Sequence, residues 1–213
     1  MKLNLSYLLL CLLLIGATTL SAQRRFKAGP VVGLNASQID GDRYAGYNKM
    51  GLNAGIRVAA QLTDRSELVI ELLYSQRGSQ SELVRGTDLF PFQIKTDYVA
   101  VPIMYNLKDW LIEEDGGDSY HKVSITGGLT YGRLITSEID DGTPSSPLQD
   151  LAGFFNKTDI SFNLGASFFI NSKIGFDFRW TRSLVLLYDQ NKSGLNANSM
   201  RAKFLSFRAM YML

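Results

Sequence analysis

Residues 52–62 read LNAGIRVAAQL, and this stretch decides the fold. Leu52, Ala54, Ile56, Val58, Ala60 and Leu62 are apolar at every second position. The residues interleaved with them, Gly51, Asn53, Gly55, Arg57, Ala59 and Gln61, are small or polar. A period of two sends successive side chains to opposite faces of a strand, whereas a helix repeats its apolar positions every three or four residues. One face of this strand is greasy, and the other carries small groups and a charge at Arg57.

The pattern recurs along the chain. Alternating stretches span Phe26–Asn35, Glu67–Ser75, Tyr98–Leu107, Val123–Tyr131, Ile160–Asn171, Ile174–Thr181 and Leu205–Leu213. That makes about eight strands, each near the roughly 9–11 residues that a tilted strand needs to cross a bilayer. Strands of soluble proteins are shorter, typically about 5–6 residues. The connections alternate as well. Thr63 to Ser66 and Asn171 to Lys173 are tight turns, while residues 38–49, 80–93, 137–157 and 188–200 are longer and polar. The long ones hold turn formers such as Asp40-Gly41-Asp42 and Asp141-Gly142-Thr143-Pro144. Residues 108–121, long and acidic, break the rule at a place where a short turn is expected.

In hydrocarbon no backbone N–H or C=O can be left unpaired, so a spanning sheet has to close on itself. The reading is therefore all-β: an eight-stranded antiparallel transmembrane up-and-down β-barrel over residues 23–213, with its apolar face outward. A soluble lipocalin-like barrel would turn the same alternation inside out. Tyr74, Tyr98, Tyr131, Trp180 and Tyr188 lie near strand ends, where interfacial aromatic girdles are expected.

The first 22 residues have a different character. Lys2 is followed by the apolar run Leu8–Ile15 and by the small residues Ala17, Thr18, Ser21 and Ala22. This is the pattern of a secretory signal peptide, residues 1–22, cut after Ala22. Cys11 is the single cysteine and lies inside that segment, so no disulfide is expected; Leu10 before it is too large for a lipoprotein site. No later apolar run approaches the length of a membrane helix. The formal charge of +2, with no run of basic residues, argues against a nucleic-acid partner.

Charges on the inward faces carry most of the remaining content. Arg57, Glu71, Asp177, Arg179 and Arg208 all alternate away from lipid. Eight strands leave an interior just wide enough for side chains, so these charges have to pair in a packed polar lumen. Other constellations are weak. His121 is the single histidine and has Glu113, Glu114, Asp115 and Asp118 nearby, which reads as a solvated acidic turn and not as a metal site. No serine arrangement with His121 suggests catalysis, so no enzyme is expected. The run Gly127–Gly132 lacks the Gly-Lys-Ser/Thr of a phosphate loop, and no cofactor is implied.

Several stretches together resemble one family. They are Gly29–Asn35 (GPVVGLN), Glu71–Gly78 (ELLYSQRG), Tyr98–Pro102 (YVAVP), Gly127–Gly132 (GGLTYG), Asp159–Gly165 (DISFNLG) and Asp177–Thr181 (DFRWT). On these the chain is similar to the PorT-like outer-membrane β-barrel proteins of Bacteroidota. The resemblance implies an eight-stranded outer-membrane barrel whose last strand is recognised by the barrel-assembly machinery. A founding member of the family serves a protein-secretion and gliding apparatus. The expectation is a small monomeric protein set among outer-membrane lipids and lipopolysaccharide, acting through extracellular loops in surface binding or envelope structure. A subunit of a secretion or gliding-type envelope assembly, with a protein partner, is the alternative. A lipid-modifying enzyme is a third reading.

Overall fold

Alternation over the inward and outward faces produces eight long strands. In the computed structural model they are β1 (Phe26–Asp40), β2 (Lys49–Thr63), β3 (Ser66–Gln80), β4 (Gln93–Ile112), β5 (Tyr120–Asp140), β6 (Thr158–Phe169), β7 (Ile174–Ser183) and β8 (Arg201–Tyr211). The structure describes residues 25–42, 45–81, 92–113, 119–140, 149, 151–193 and 198–213; the expected signal peptide lies outside these residues. Each strand pairs antiparallel with its sequence neighbour, and β8 returns to β1, closing an up-and-down barrel. Closure removes both sheet edges, which is what the hydrocarbon environment demands.

The barrel is inverted relative to a soluble protein. Large apolar side chains stand on the outside: Leu72 is 49% exposed, Phe178 44% and Ile125 69%. Arg57 and Glu71, by contrast, are 2% and 1% exposed inside. A soluble barrel would have the opposite arrangement, so the outer apolar band is a lipid-facing surface. Phe178 and Phe207 extend this band across the β7–β8 pair, with ring centroids 5.0 Å apart. Phe162 and Trp180 pack edge-to-face at 5.3 Å on the neighbouring pair.

At the β1–β8 seam the backbones come very close. A side chain at Gly33 would run into the carbonyl oxygen of Phe207, so only glycine fits there. Gly41 has φ +102°, a left-handed conformation, where β1 turns into the first long connection.

Three sequence expectations need correction. Within residues 108–121, where a turn is expected, 108–112 and 120–121 are strand, and 114–118 lie outside the described residues. Asp109, Leu111 and Ile112 pair with Val123, His121 and Tyr120, so β4 and β5 continue as a two-stranded ribbon beyond the last pairs made with β3 and β6. His121 accordingly lies within β5 and not before it. The pattern was hidden because Trp110 has φ +60° and interrupts the alternation. Trp110 turns outward, with Lys122 Nζ 4.8 Å from its ring centroid, while Asp109 and Leu111 turn towards the lumen. Secondly, Tyr98 and Tyr188 are not girdle residues: both are buried inside. Tyr74 and Tyr131 do face outward. Thirdly, the connections after β5 and β7 are not simply polar, because they carry an apolar plug described below.

Candidate functional site

Two cross-strand registers build the centre of the lumen. The β2–β3 pairing sets Arg57 opposite Glu71. The β7–β8 pairing sets Asp177 opposite Arg208. Side chains from opposite walls then join the two pairs. Arg179 Nη1 and Nη2 donate to Glu71 at 3.0 and 3.2 Å, and Arg208 Nη1 donates to the same carboxylate at 2.9 Å. Arg57 Nη1 donates to Glu71 at 3.2 Å. Arg208 Nε donates to Asp177 at 3.0 Å, and Ser167 Oγ donates to its other oxygen at 3.2 Å. All five charged residues read from the sequence meet in this one cluster.

Sequence reasoning missed a sixth member. Glu67 lies 3.6 Å from Arg57 and 3.7 Å from Lys108, and accepts from Asn106 Nδ2 at 2.8 Å. With Glu67 included, three arginines face three carboxylates. Neutrality matters here, because ions taken out of water cost several kcal/mol each unless partners return that energy.

Above this cluster, towards the long-loop end, comes a layer of amides and hydroxyls. Asn53 Nδ2 and Ser206 Oγ both donate to Asn35 Oδ1, at 2.9 and 2.8 Å, and Asn35 Nδ2 donates to Ser75 Oγ at 3.0 Å. Asn163 bridges Thr130 and Thr181 on the other side. Higher still is a second buried ion pair, Arg77 with Asp159 at 2.7 Å. The Arg77 guanidinium lies between the Tyr98 and Phe204 rings, 4.5 and 4.3 Å from their centroids. Such stacking suits a weakly hydrated planar cation. A signal for this pair existed: Arg77 continues the inward parity of Glu71 and Ser75, and Asp159 that of Ser161 and Asn163.

An apolar plug caps the long-loop end. Ile39, Ile94, Ile139 and Ala202 from the strands pack with Leu151, Phe155, Leu187, Tyr188 and Met200 from the connections. Backbone bonds hold the plug in place, with Leu187 donating to Met200 at 2.8 Å and Met200 to Tyr188 at 2.9 Å. Asn156 ties the two connections together, its backbone N–H reaching Leu187 O at 2.7 Å and its amide reaching Leu186 O at 2.9 Å. The clues were the apolar runs Leu151–Phe155 (LAGFF) and Leu184–Tyr188 (LVLLY) inside connections that otherwise read as polar.

Little space remains at mid-lumen. A cavity there has about 10 Å³, at most the room for one water. The short-turn end is different: a vestibule of about 390 Å³ opens below Arg57. His121 stands in its wall, held below its ordinary pKa by partial burial and by the neighbouring Lys108 and Arg65 cations. Of the acidic residues near it, Glu114, Asp115 and Asp118 lie outside the described residues. Among the described residues no group of His, Cys, Asp and Glu is placed to hold a metal ion.

An outward apolar band, a closed antiparallel sheet and a charge-locked interior together define a small integral outer-membrane barrel. The chain matches the family model described as outer membrane protein beta-barrel domain over residues 7–212, and it belongs to that family. No curated protein sequence matches it. Among solved structures it is similar to Ail, the attachment invasion locus protein of Yersinia pestis, crystallised with the heparin analogue sucrose octasulfate. That match is 13% identical, covers 89% of this chain and 99% of Ail, and has a TM-score of 0.48. Neisserial surface protein A is 13% identical over 87% of this chain and 96% of its own, with a TM-score of 0.44. OprG from Pseudomonas aeruginosa is 11% identical over 88% and 95%, with a TM-score of 0.38. In outer-membrane barrels the short turns face the periplasm and the long loops face outward, which orients the two ends.

Proposed function

We propose that the protein is a sealed, non-catalytic, monomeric barrel that acts at the cell surface through its extracellular cap. The observation that carries this reading is the cap itself. Asn156 locks the β5–β6 and β7–β8 connections to one another over the apolar plug, which makes residues 151–157 and 184–188 a preorganised surface and not a gate. Preorganisation lowers the ordering cost of binding. Beneath the cap, the Arg77–Asp159 pair and the Glu71 cluster oppose ion passage. The outer band would sit among outer-membrane lipids and lipopolysaccharide, with insertion by the barrel-assembly machinery after removal of residues 1–22.

A second reading follows from the PorT-like resemblance: a subunit of a secretion or gliding-type envelope assembly. The β4–β5 ribbon favours it, since it runs beyond the short-turn rim and carries exposed Trp110 on its outer face, where a periplasmic protein could dock. One experiment separates the two. A photo-crosslinking residue is placed at Phe154 in the cap or at Leu111 on the ribbon, both exposed, in living cells. A specific adduct from position 154 supports surface binding. An adduct from position 111 alone would replace that reading with the assembly subunit, and stepwise conductance in planar bilayers would overturn the sealed barrel.

A further inference from the structure

The periplasmic vestibule has an uneven charge balance. In the cluster above it, Arg57, Arg179 and Arg208 are matched by Glu67, Glu71 and Asp177. Four other cations line the vestibule, Arg25, Lys27, Arg65 and Lys108, against two carboxylates, Asp64 and Asp109. Lys108 leans on Glu67 at 3.7 Å. Arg25, Lys27 and Arg65 have no ion-pair partner among the described residues. Strand parity explains why so many cations converge: Arg25 and Lys27 continue the inward face of Val31 and Asn35 to the short-turn end of β1.

The inner wall adds an independent observation. Arg57 and Ser124 both line the vestibule and are 2% and 5% exposed, yet Arg57 Nε and Ser124 Oγ have no hydrogen-bond partner among the described residues. Buried donors of this kind are ordinarily satisfied, and each unsatisfied one is costly. Both residues line a space of about 390 Å³, within the range of small-molecule sites, while these two atoms lie just beneath its surface. Ala59, Phe169 and Met212 make one side of that space apolar.

We propose that this vestibule is a binding site for a small phosphate-bearing molecule, taken from the periplasmic side. A phosphate dianion matches an excess of two cations, and its oxygens can accept from the guanidinium forks of Arg25 and Arg65 and from the Lys27 ammonium. A monocarboxylate would leave one positive charge uncompensated. The apolar side accommodates the carbon skeleton that bears the phosphate. Two sources share this chemistry, a soluble organic phosphomonoester and the phosphomonoester headgroup of phosphatidic acid.

The test uses the full-length mature barrel in phosphatidylcholine nanodiscs, titrated calorimetrically with glycerol 3-phosphate. Wild-type protein is expected to bind saturably. The rim variant Lys27→Ala/Arg65→Ala removes two exposed cations that make no ion pair and leaves the strands intact, so its folded gel form is unchanged while affinity falls by roughly tenfold or more. Lys95→Ala, at the opposite end and paired with Glu138, is expected to bind like wild type. Equal weakening in both variants, or no saturable heat from wild type below roughly 10 mM ligand, overturns the site. Repeating the titration in nanodiscs that contain phosphatidic acid assigns the source. Competition by the lipid identifies a headgroup site, and undiminished binding identifies a soluble phosphate.

Discussion

Arg208 and Glu71 meet across the lumen at 2.9 Å although 137 residues separate them in sequence, and this contact joins the two halves of the closed sheet. Glu71 belongs to β3 and Arg208 to β8, so neither strand register alone brings them together. The contact forms only when β8 has closed onto β1. Glu71 therefore reports on closure: it accepts from Arg57, Arg179 and Arg208 at once.

The first prediction follows from that convergence. Glu71→Ala should strand three buried arginines against fewer carboxylates and destabilise the barrel by roughly 3–5 kcal/mol. The temperature at which the compact, fast-migrating gel form is lost should fall clearly. In a double-mutant cycle, Glu71→Ala and Arg208→Ala should be strongly non-additive, because the second change removes a charge that the first left unpaired. Additive losses would show that the two side chains do not act as a unit.

The plug gives a second prediction with a different readout. Phe155→Ala removes a buried aromatic from the cap and should cost roughly 3–5 kcal/mol, much of it local to the loops. External protease should then cut within residues 149–157 of intact cells much faster than in wild type. Bilayer conductance should stay silent, since the Arg77–Asp159 pair and the Glu71 cluster lie beneath the cap and are untouched. Open-channel steps in this variant would mean that the cap alone seals the lumen.

Much of this architecture was legible in the sequence, for a physical reason. Lipid on one side and a narrow polar lumen on the other impose a period of two on every strand, so Leu52–Leu62 already places Arg57 inside. The same parity located Glu71, Asp177, Arg179 and Arg208. It failed where strands were read as ending too early: extending β3 by two residues past Ser75 reaches Arg77, and starting β6 one residue before Ile160 reaches Asp159. It also failed where alternation is broken. At Trp110 the positive φ flips the faces, so residues 108–112 carry no periodic signal although they pair as a strand. The plug stayed hidden for a third reason: Leu151, Phe155 and Leu187 are buried by loop contacts, which no local period encodes.

Topology supplies a third prediction. Residues 23–213 contain no cysteine. Phe154→Cys in the cap and Leu111→Cys on the ribbon place single thiols at exposed positions on opposite ends of the barrel. A membrane-impermeant maleimide should label the first in intact cells and the second only after the outer membrane is permeabilised. The reverse pattern would turn the barrel upside down and move the vestibule to the cell surface.

The last prediction concerns closure at β8. Its register with β1 runs from Val31↔Met210 to Asp40↔Arg201, so the final residues of the strand complete the seam. Phe207 is 53% exposed on the lipid face and packs against Phe178. Phe207→Arg places a charge in hydrocarbon and should cost roughly 2–4 kcal/mol if the site lies near the midplane. Met210 points the other way, into contact with Val31, Leu73 and Ala100. Met210→Arg therefore meets crowding and an unpaired buried charge instead of lipid, and an added nearby carboxylate, for example Leu73→Glu, should partly rescue it. The same carboxylate should do nothing for Phe207→Arg. Deleting residues 209–213 removes the Val31 and Val32 pairings and takes Met212 out of the cluster with Ala59, Val69 and Met104. Open backbone groups at the seam cannot be satisfied in the bilayer, so the truncated chain should be degraded before insertion. Steady-state levels in outer-membrane fractions, with heat-modifiability as the folding criterion, measure all of these variants. Wild-type levels of a heat-modifiable truncated form would show that the barrel closes without the end of β8.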